Sequence, residues 1–250
     1  GALIFLKKRR PPLKNVLSVC CVLCIASELV KDLSVIKMVP SADGSMLLPY
    51  MEMQHLPFHL CSIQILLILF VRFAKPGKAR TTVLAFMYPT ALIGAALALA
   101  MPSIFSSTIE VSQAFTHPLA YQFFLYHSML VVLGAYIPLC GEVELRPKHY
   151  FSTLGILGAM AMVSLYLNSM FAAATYVDGE LISVEYATNF FFTYTPPLPI
   201  PLNSVGQWLA YLAVICLLAA ALIGLCYLPV LRKARKKAAA GRCALTTASA

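Results

Sequence analysis

The chain has 250 residues, of which 60% are apolar and only 12% are charged. A soluble domain is roughly half apolar and a quarter charged, so this composition excludes an ordinary water-soluble globular protein. The formal net charge of +9 does not indicate nucleic-acid binding, because the basic residues form separate clusters between apolar runs rather than one continuous patch. We therefore expect a membrane protein that does not bind nucleic acid.

Apolar runs recur along the whole chain at the length of a membrane span. A hydrocarbon layer of roughly 30 Å needs about 20 residues of helix. Six runs meet or approach this length, at residues 16–35, 59–73, 82–104, 119–139, 153–177 and 208–231. The second run is short, and it can be extended back to Pro57 because proline is accepted in the first turn of a helix. The sequence therefore predicts an all-α fold, a polytopic transmembrane helical bundle with six spans.

The N-terminus suggests a further span. Residues 1–6 are apolar and are followed directly by the basic residues Lys7 to Arg10. A signal peptide carries its charges before the apolar region, so we interpret residues 1–14 as the end of a preceding, seventh span plus a basic cytoplasmic segment. The alternative is a short cytoplasmic leader.

The remaining organisation follows from the apolar runs and the charges. Residues 15–231 are predicted to form the transmembrane bundle, and residues 232–250 a basic cytoplasmic tail. Residues 178–207 form a long outer loop, rich in aromatic residues and interrupted by Pro196, Pro197, Pro199 and Pro201. Such a loop is expected either to cover a pocket as a lid or to lie in the membrane interface as a tether.

Basic residues cluster before the first run and after the second, fourth and sixth runs. Because cytoplasmic loops of membrane proteins are enriched in Lys and Arg, this alternation predicts a multi-pass protein of the cell membrane with both ends in the cytoplasm. Cys21 and Cys24 form a C-x-x-C motif, but they lie inside a predicted span without a second pair for zinc. We predict no metal and no cofactor.

Ionisable residues inside the runs are candidates for function, because an unpaired charge in hydrocarbon is costly. Glu28, His59 and His127 fall within three different runs, and Asn168 in a fourth run lies at a comparable depth. Together they could line a water-accessible pocket open to the outer leaflet, as a proton-transfer or acyl-transfer site requires. The alternative is a hydrogen-bond network that only holds the bundle together.

Helical geometry limits the partners of His59. Residues three apart share a face, so His59 lies with Ser62, whereas Cys61 shares its face with Gln64. Ser62 is therefore the better local partner, although a thiol such as that of Cys61 is intrinsically the stronger nucleophile once deprotonated.

Three segments resemble a known family: residues 56–61 (Leu-Pro-Phe-His-Leu-Cys), residues 123–127 (Phe-Phe-Leu-Tyr-His) and residues 189–192 (Asn-Phe-Phe-Phe). They are similar to the YwaF-like integral membrane proteins, whose animal branch is transmembrane protein 164, an acyltransferase that builds ether phospholipids through a cysteine nucleophile. The resemblance covers His59 and His127 directly and extends to Glu28. The family's cysteine stands immediately before the histidine that matches His59, where this chain has Phe58.

Two functions are consistent with these residues. The first is a lipid acyltransferase or lipid hydrolase, with membrane lipids as partners. His127 would be the general base, His59 would orient or stabilise an oxyanion, and Cys61 or Ser62 would be the nucleophile, with Glu28 in the same catalytic group. Asn168, Gln64 and Asn189 would contact the substrate. The second is a non-catalytic lipid-binding protein or a transporter, although the sequence lacks the internal repeat common in transporters.

The predicted orientation can be tested by labelling. Lys78 and Lys236 are expected to be cytoplasmic, whereas Glu110 and Glu185 are expected to be outside, because the basic clusters mark the cytoplasmic side. Single cysteines at these positions would be treated with an impermeant maleimide in intact cells. We expect labelling only at positions 110 and 185, and labelling at position 78 would contradict the orientation.

Overall fold

The structure is a computed structural model that describes residues 1–102, 104–197 and 200–248, and side chains at all of these except 106, 107 and 235–248. Pro199 of the predicted outer loop and the side chains of most of the predicted basic tail, including Cys243, lie outside the described residues. In chain order the helices are α1 (Ala2–Arg9), α2 (Leu13–Val35), α3 (Leu60–Phe73), α4 (Lys78–Ala100), α5 (Ile104–Ser107), α6 (Pro118–Leu139), α7 (Lys148–Met170) and α8 (Val205–Ala248).

The predicted helical membrane bundle is confirmed. Among the described residues, five helices are long and apolar enough to cross a membrane: α2, α4, α6, α7 and α8 as far as Ala234. The predicted second span is shorter, because α3 has only 14 residues. At about 1.5 Å per residue it extends about 21 Å, roughly two thirds of a hydrocarbon layer. The segment before α3, which contains one 3-10 turn at Met53–His55, therefore has to supply the remaining depth without α-helical hydrogen bonds.

Two antiparallel hairpins add a small amount of strand to the helical bundle. Strand β1 (Lys37–Pro40) pairs with β2 (Leu47–Tyr50), and β3 (Ala172–Val177) pairs with β4 (Glu180–Tyr186). The predicted fifth span, which ran to residue 177, was wrong at its end, because α7 stops at Met170 and the next residues form β3. The cause is the turn at Asp178 and Gly179, where φ is 51° and 83°, a conformation that an Asp-Gly pair adopts readily between two strands.

Both hairpins lie at the same end of the bundle, which we call the hairpin end. The opposite end, called the basic end, carries the turns at residues 74–77 and 140–147, beside Arg72, Lys78, Arg80 and Lys148. Lys31 and Lys37 depart from the predicted clusters, because they lie toward the hairpin end. Each is paired with a carboxylate, Lys31 with Glu28 at 2.5 Å and Lys37 with Glu52 at 2.6 Å.

The buried core lies between α2, α3, α4 and α6, and includes Leu17, Ile68, Met87 and Tyr136. Helices α7 and α8 bury few of their own side chains and present most of their apolar surface outward. Helix α8 is attached through the hydroxyl of Tyr227, which donates to the carbonyl oxygen of Ala85 at 2.9 Å. An outward apolar surface of this kind is what a helix in contact with lipid requires.

Two hydrogen bonds join distant parts of the chain at the basic end. The backbone N–H of Leu13, at the start of α2, donates to the carboxylate of Glu142 at 2.7 Å. The hydroxyl of Tyr136 donates to the carbonyl oxygen of Pro11 at 2.5 Å. The Glu142 carboxylate gives the Leu13 N–H an acceptor, and its negative charge interacts favourably with the positive end of the α2 dipole.

Helices α4 and α6 approach closely at Gly134. A Cβ atom added there would lie 2.6 Å from the backbone nitrogen of Leu92 and 2.9 Å from its Cβ. We expect Gly134→Ala to force the two helices apart and to lower the free energy of unfolding by about 1–3 kcal/mol. Thermal unfolding in detergent would measure this loss.

The matched control is Gly158→Ala on α7, where an added Cβ meets nothing within 4 Å. Since alanine favours a helix over glycine, this variant should be as stable as the parent or more so. Equal stability of the two variants would contradict the close approach.

Candidate functional site

His59 lies at the point where the irregular segment after β2 becomes α3, and it is the N-cap residue of that helix. Its Nε2 lies 3.2 Å from the carbonyl oxygen of Gln54. A carbonyl oxygen only accepts, so Nε2 carries the proton and Nδ1 keeps the lone pair. The ring meets Phe190 edge to face, with centroids 4.9 Å apart. The structure therefore fixes both the orientation and the basic nitrogen of His59.

Glu28 is not isolated in its helix, because its carboxylate pairs with Lys31. The Lys31 side chain is only 14% exposed and lies 3.6 Å from Asp32 as well. Its ammonium also donates to the backbone carbonyl of His55 at 3.0 Å. Lys31 and Asp32 are not among the site residues predicted above, although a charge inside an apolar run is the same signal that identified Glu28.

Cys61 and Ser62 occupy the first turn of α3. The carbonyl oxygen of Cys61 accepts a hydrogen bond from the Tyr126 hydroxyl at 2.7 Å, which ties α3 to α6. The Cys61 side chain packs against the core, whereas the Ser62 hydroxyl forms no hydrogen bond to the described residues. Neither side chain is bonded to an imidazole within the described part of the chain. Which of them is a nucleophile stays a prediction.

The backbone of this first turn has free donors. The first backbone bond of α3 runs from the N–H of Ile63 to the carbonyl of His59. The N–H groups of Leu60, Cys61 and Ser62 have no acceptor among the described residues, as expected for the first residues of a helix. They form a set of aligned donors next to the His59 ring.

His127 is buried in α6, next in the chain to Tyr126, whose hydroxyl bonds Cys61 in the first turn of α3. Its Nδ1 donates to the carbonyl of Phe123 at 2.7 Å, and its ring packs against Phe123 and Tyr126. No hydrogen bond, ion pair or ring contact within the described residues joins it to Glu28 or His59. A shared site for these three residues therefore stays a prediction.

Asn168 forms four hydrogen bonds to the segment after β4. Its amide nitrogen donates to the carbonyl of Phe190 at 3.1 Å and to the hydroxyl of Thr193 at 2.9 Å. Its amide oxygen accepts from the N–H of Phe190 and from Thr188, each at 2.9 Å. Since all these groups are buried, Asn168 fixes the turn that presents Phe190 to His59.

The other two predicted substrate contacts also hold structure together. Asn189 binds the N–H of Tyr194 at 3.1 Å through its side-chain oxygen. Gln64 is fully buried and donates to the hydroxyl of Thr90 at 3.0 Å, while its Oε1 lacks a partner within the described residues. A substrate role for Asn168, Asn189 and Gln64 stays a prediction.

An apolar groove of about 260 Å³ lies between α3 and α7, and Phe58, the residue before His59, belongs to its wall. Its walls are formed by Phe58, Ile63, Ala159, Met160, Val163, Ser164, Leu167 and Phe191. Val163 is 57% exposed, so the groove opens on the outer, lipid-facing side of the bundle. Phe58, at the position of the family's cysteine, is thus a wall of this groove.

A second, polar cavity of about 120 Å³ lies at the hairpin end. It is lined by Ser34, Val35, Lys37, Glu52, His55, Thr108, Ile109 and His117. His55 and His117 are not among the predicted site residues, because both fall in connecting segments and not in apolar runs. Neither cavity is lined by Glu28, His59 or His127.

Electrostatics at this cavity favour a neutral imidazole. Partial burial lowers the pKa of His55, and the nearby Lys31 and Lys37 lower it further against the opposing effect of Glu52. The hydrogen bonds from Lys37 and Gln54 lower the pKa of Glu52. At neutral pH the cavity therefore holds one ion pair and an uncharged His55.

Comparison with known proteins gives one family match. The sequence model of the TMEM164 family matches residues 3–227. This range includes all three segments on which the resemblance rests, so the relation to transmembrane protein 164 is confirmed, whereas the YwaF-like label is not. The comparisons with curated proteins and with solved structures give no match.

The lowered pKa of His55 predicts a local sensitivity to acid. The unfolded segment binds a proton more readily than the folded one, so the stability due to neutral His55 is lost as pH falls below about 6.5. We expect amide exchange in residues 52–58, corrected for intrinsic rates, to accelerate between pH 7 and pH 5. His55→Gln should remove most of this acceleration.

The hairpin of residues 172–186 contains no histidine and serves as the internal reference. An unchanged pH dependence in His55→Gln would show that another group is responsible.

Proposed function

The chain belongs to the TMEM164 family, and from this premise we propose that it binds a membrane phospholipid and transfers or hydrolyses one of its acyl chains. Its long apolar helices make it a multi-pass membrane protein. The observation that carries the proposal is the apolar groove whose wall includes Phe58 and Ile63, the two residues that flank residues 59–62 in the chain. A chain-binding surface and a polar reactive group are thereby next to each other.

The groove suits an acyl chain by its lining and its position. Seven of its eight lining residues are apolar, and it opens between α3 and α7 on the lipid-facing side. A chain that moves from lipid into such a groove gains little hydrophobic free energy, because both environments are apolar. Selection of the substrate therefore depends on the fit of the chain and on the polar groups at the end of the groove.

The first turn of α3 offers the groups for acyl transfer. The free N–H groups of Leu60, Cys61 and Ser62 can stabilise the oxyanion that forms when an ester carbonyl is attacked. His59 is the extended N-cap of α3 and not a helical residue, so the shared helical face predicted for His59 and Ser62 does not apply. Ser62 lies in the first turn of the helix that His59 precedes, and Nδ1 of His59 keeps its lone pair. His59 would take the proton of Ser62 as the general base.

The proposed acyl transfer proceeds through an acyl group bound to Ser62. The Ser62 oxygen attacks the ester carbonyl carbon while its proton passes to His59 Nδ1. The bond between that carbon and the glycerol oxygen then breaks, and the leaving oxygen takes the proton from His59. The acyl group on Ser62 finally passes to the hydroxyl of a lysophospholipid or of water, which restores the serine.

Cys61 and His127 are the alternatives for nucleophile and base. The family resemblance implies a cysteine nucleophile, but its position is occupied by Phe58, which has no nucleophilic atom. The Cys61 thiol packs against the core, and His127 has its Nδ1 engaged by Phe123. These contacts favour Ser62 with His59 over Cys61 with His127.

A non-catalytic lipid-binding protein is the second candidate. One observation favours it: within the described residues, no hydrogen bond joins an imidazole to Ser62 or Cys61. Such a protein would use the groove between α3 and α7 for binding alone.

Turnover by purified protein in liposomes tests the proposal. The substrate is a phospholipid with a labelled acyl chain, and release or transfer of the label is measured. Ser62→Ala and His59→Gln should each lower kcat by at least about 100-fold, since they remove the nucleophile or the base. Phe58→Ala should retain the chemical step. Cys61→Ala and His127→Gln, measured in parallel, decide between the two assignments.

Ser152→Ala is the matched control, because this exposed serine on α7 only bonds the carbonyl of Lys148. It should leave turnover unchanged. If no lipid turns over but a photoactivatable phospholipid labels the groove, the non-catalytic function is supported. If neither occurs, the groove is not a lipid site.

A further inference from the structure

We propose that Lys31 is a positioning residue for His59, acting from α2 through the backbone of residues 54 and 55. The inference builds on the proposed function, since His59 is the base in that proposal. It also goes beyond it, because Lys31 contacts neither the groove nor the first turn of α3. The inference rests on the hydrogen bonds that the carbonyl groups of Gln54 and His55 accept.

The two carbonyls belong to the turn that precedes α3. The carbonyl of Gln54 accepts from His59 Nε2 at 3.2 Å, and the carbonyl of His55 accepts from Lys31 Nζ at 3.0 Å. The turn itself is closed by bonds from the N–H of His55 to Glu52 and from the N–H of Leu56 to Met53. Since the turn moves as one unit, its anchorage to Lys31 sets the position of the acceptor for His59.

Lys31 is suited to this role because its own position is fixed. It is 14% exposed, and the carboxylates of Glu28 and Asp32 lie 2.5 Å and 3.6 Å from its ammonium. A lysine buried near apolar surroundings needs such compensation, and hydrogen bonds made by a charged group are stronger than neutral ones. The result is a short connection from α2 to the ring of His59.

Without this connection the turn would lose its link to α2. The His55 carbonyl would be left without a donor, and the Gln54 carbonyl would no longer be held in one place. The His59 ring could then rotate away from Ser62. In an enzyme of the proposed kind this lowers kcat while the groove, and hence KM, changes little.

The test measures His59 itself and not only activity. Full-length protein in detergent is treated with diethylpyrocarbonate, and the rate of modification at each histidine is followed by mass spectrometry. Lys31→Met should raise the rate at His59 by about tenfold, because a charge-assisted hydrogen bond is removed from its support. Lys31→Arg should restore a rate near that of the parent. His149, at the basic end, is the internal reference.

Arg72→Met is the matched control. Arg72 also joins α2 to α3, because its Nε donates to the hydroxyl of Ser18 at 2.6 Å, but it does so at the basic end and not at the turn before α3. It should leave His59 unchanged. If Lys31→Met fails to fold, the double variant Glu28→Gln with Lys31→Met removes both charges together. The rate of His59 modification in that double variant then tests the inference.

Three outcomes overturn the inference: an unchanged rate at His59, an equal rise at His149, or an equal rise at His59 in Arg72→Met. These readings do not depend on turnover, so they stand even if the protein proves not to be an enzyme. If a lipid substrate is turned over, a fall in kcat at constant KM in Lys31→Met that is reversed in Lys31→Arg supports the same role for Lys31.

Discussion

Backbone N–H and C=O groups are costly to leave without partners in hydrocarbon, and the short α3 makes this cost the governing constraint of the structure. With 14 residues, α3 leaves part of the second crossing to the irregular segment before it. That segment has only the short 3-10 turn at Met53–His55, which leaves the carbonyls of Gln54 and His55 to be bound by side chains. Lys31 binds the carbonyl of His55 and the His59 ring binds that of Gln54.

The same constraint shapes the segment after β4. Its backbone turns sharply at Phe191 and Phe192, where φ is 58° and 53°. Asn168 binds both the N–H and the carbonyl of Phe190, and the indole of Trp208 donates to the carbonyl of Thr193 at 3.0 Å. The two irregular segments meet where Phe190 contacts Phe58 and His59. The groove and the candidate site therefore lie where regular structure is interrupted on both sides.

The helices of this bundle could be predicted because a membrane span needs an uninterrupted apolar run, which is visible in one sequence. The hairpin of β3 and β4 could not be separated from the fifth run, since Ala172–Val177 is as apolar as the helix before it. Only the Asp-Gly pair at 178 and 179 indicated a turn. The ion pair between Glu28 and Lys31 was also predictable from the sequence, because Lys31 lies three residues after Glu28 and on the same face of the helix.

Within the site, the family resemblance singled out His59 and the phenylalanine segment separately, but their contact depends on how α3 and the segment after β4 fold. The partners of Asn168 lie 20 to 25 residues away in the chain and follow no helical or strand period. Spacing alone could not reveal them. The polar residues inside the spans could be identified from the sequence, whereas the groups to which they bind could be identified only from the structure.

The bond between the Leu13 N–H and Glu142 bears on biosynthesis. These residues are 129 positions apart. At roughly 5 to 20 residues per second, the ribosome needs about 6 to 26 seconds to add the second after the first. During that interval the first turn of α2 has to stay in contact with water or headgroups. Final anchorage of α1 and α2 at this end is therefore a late event, completed only after α6 has been inserted.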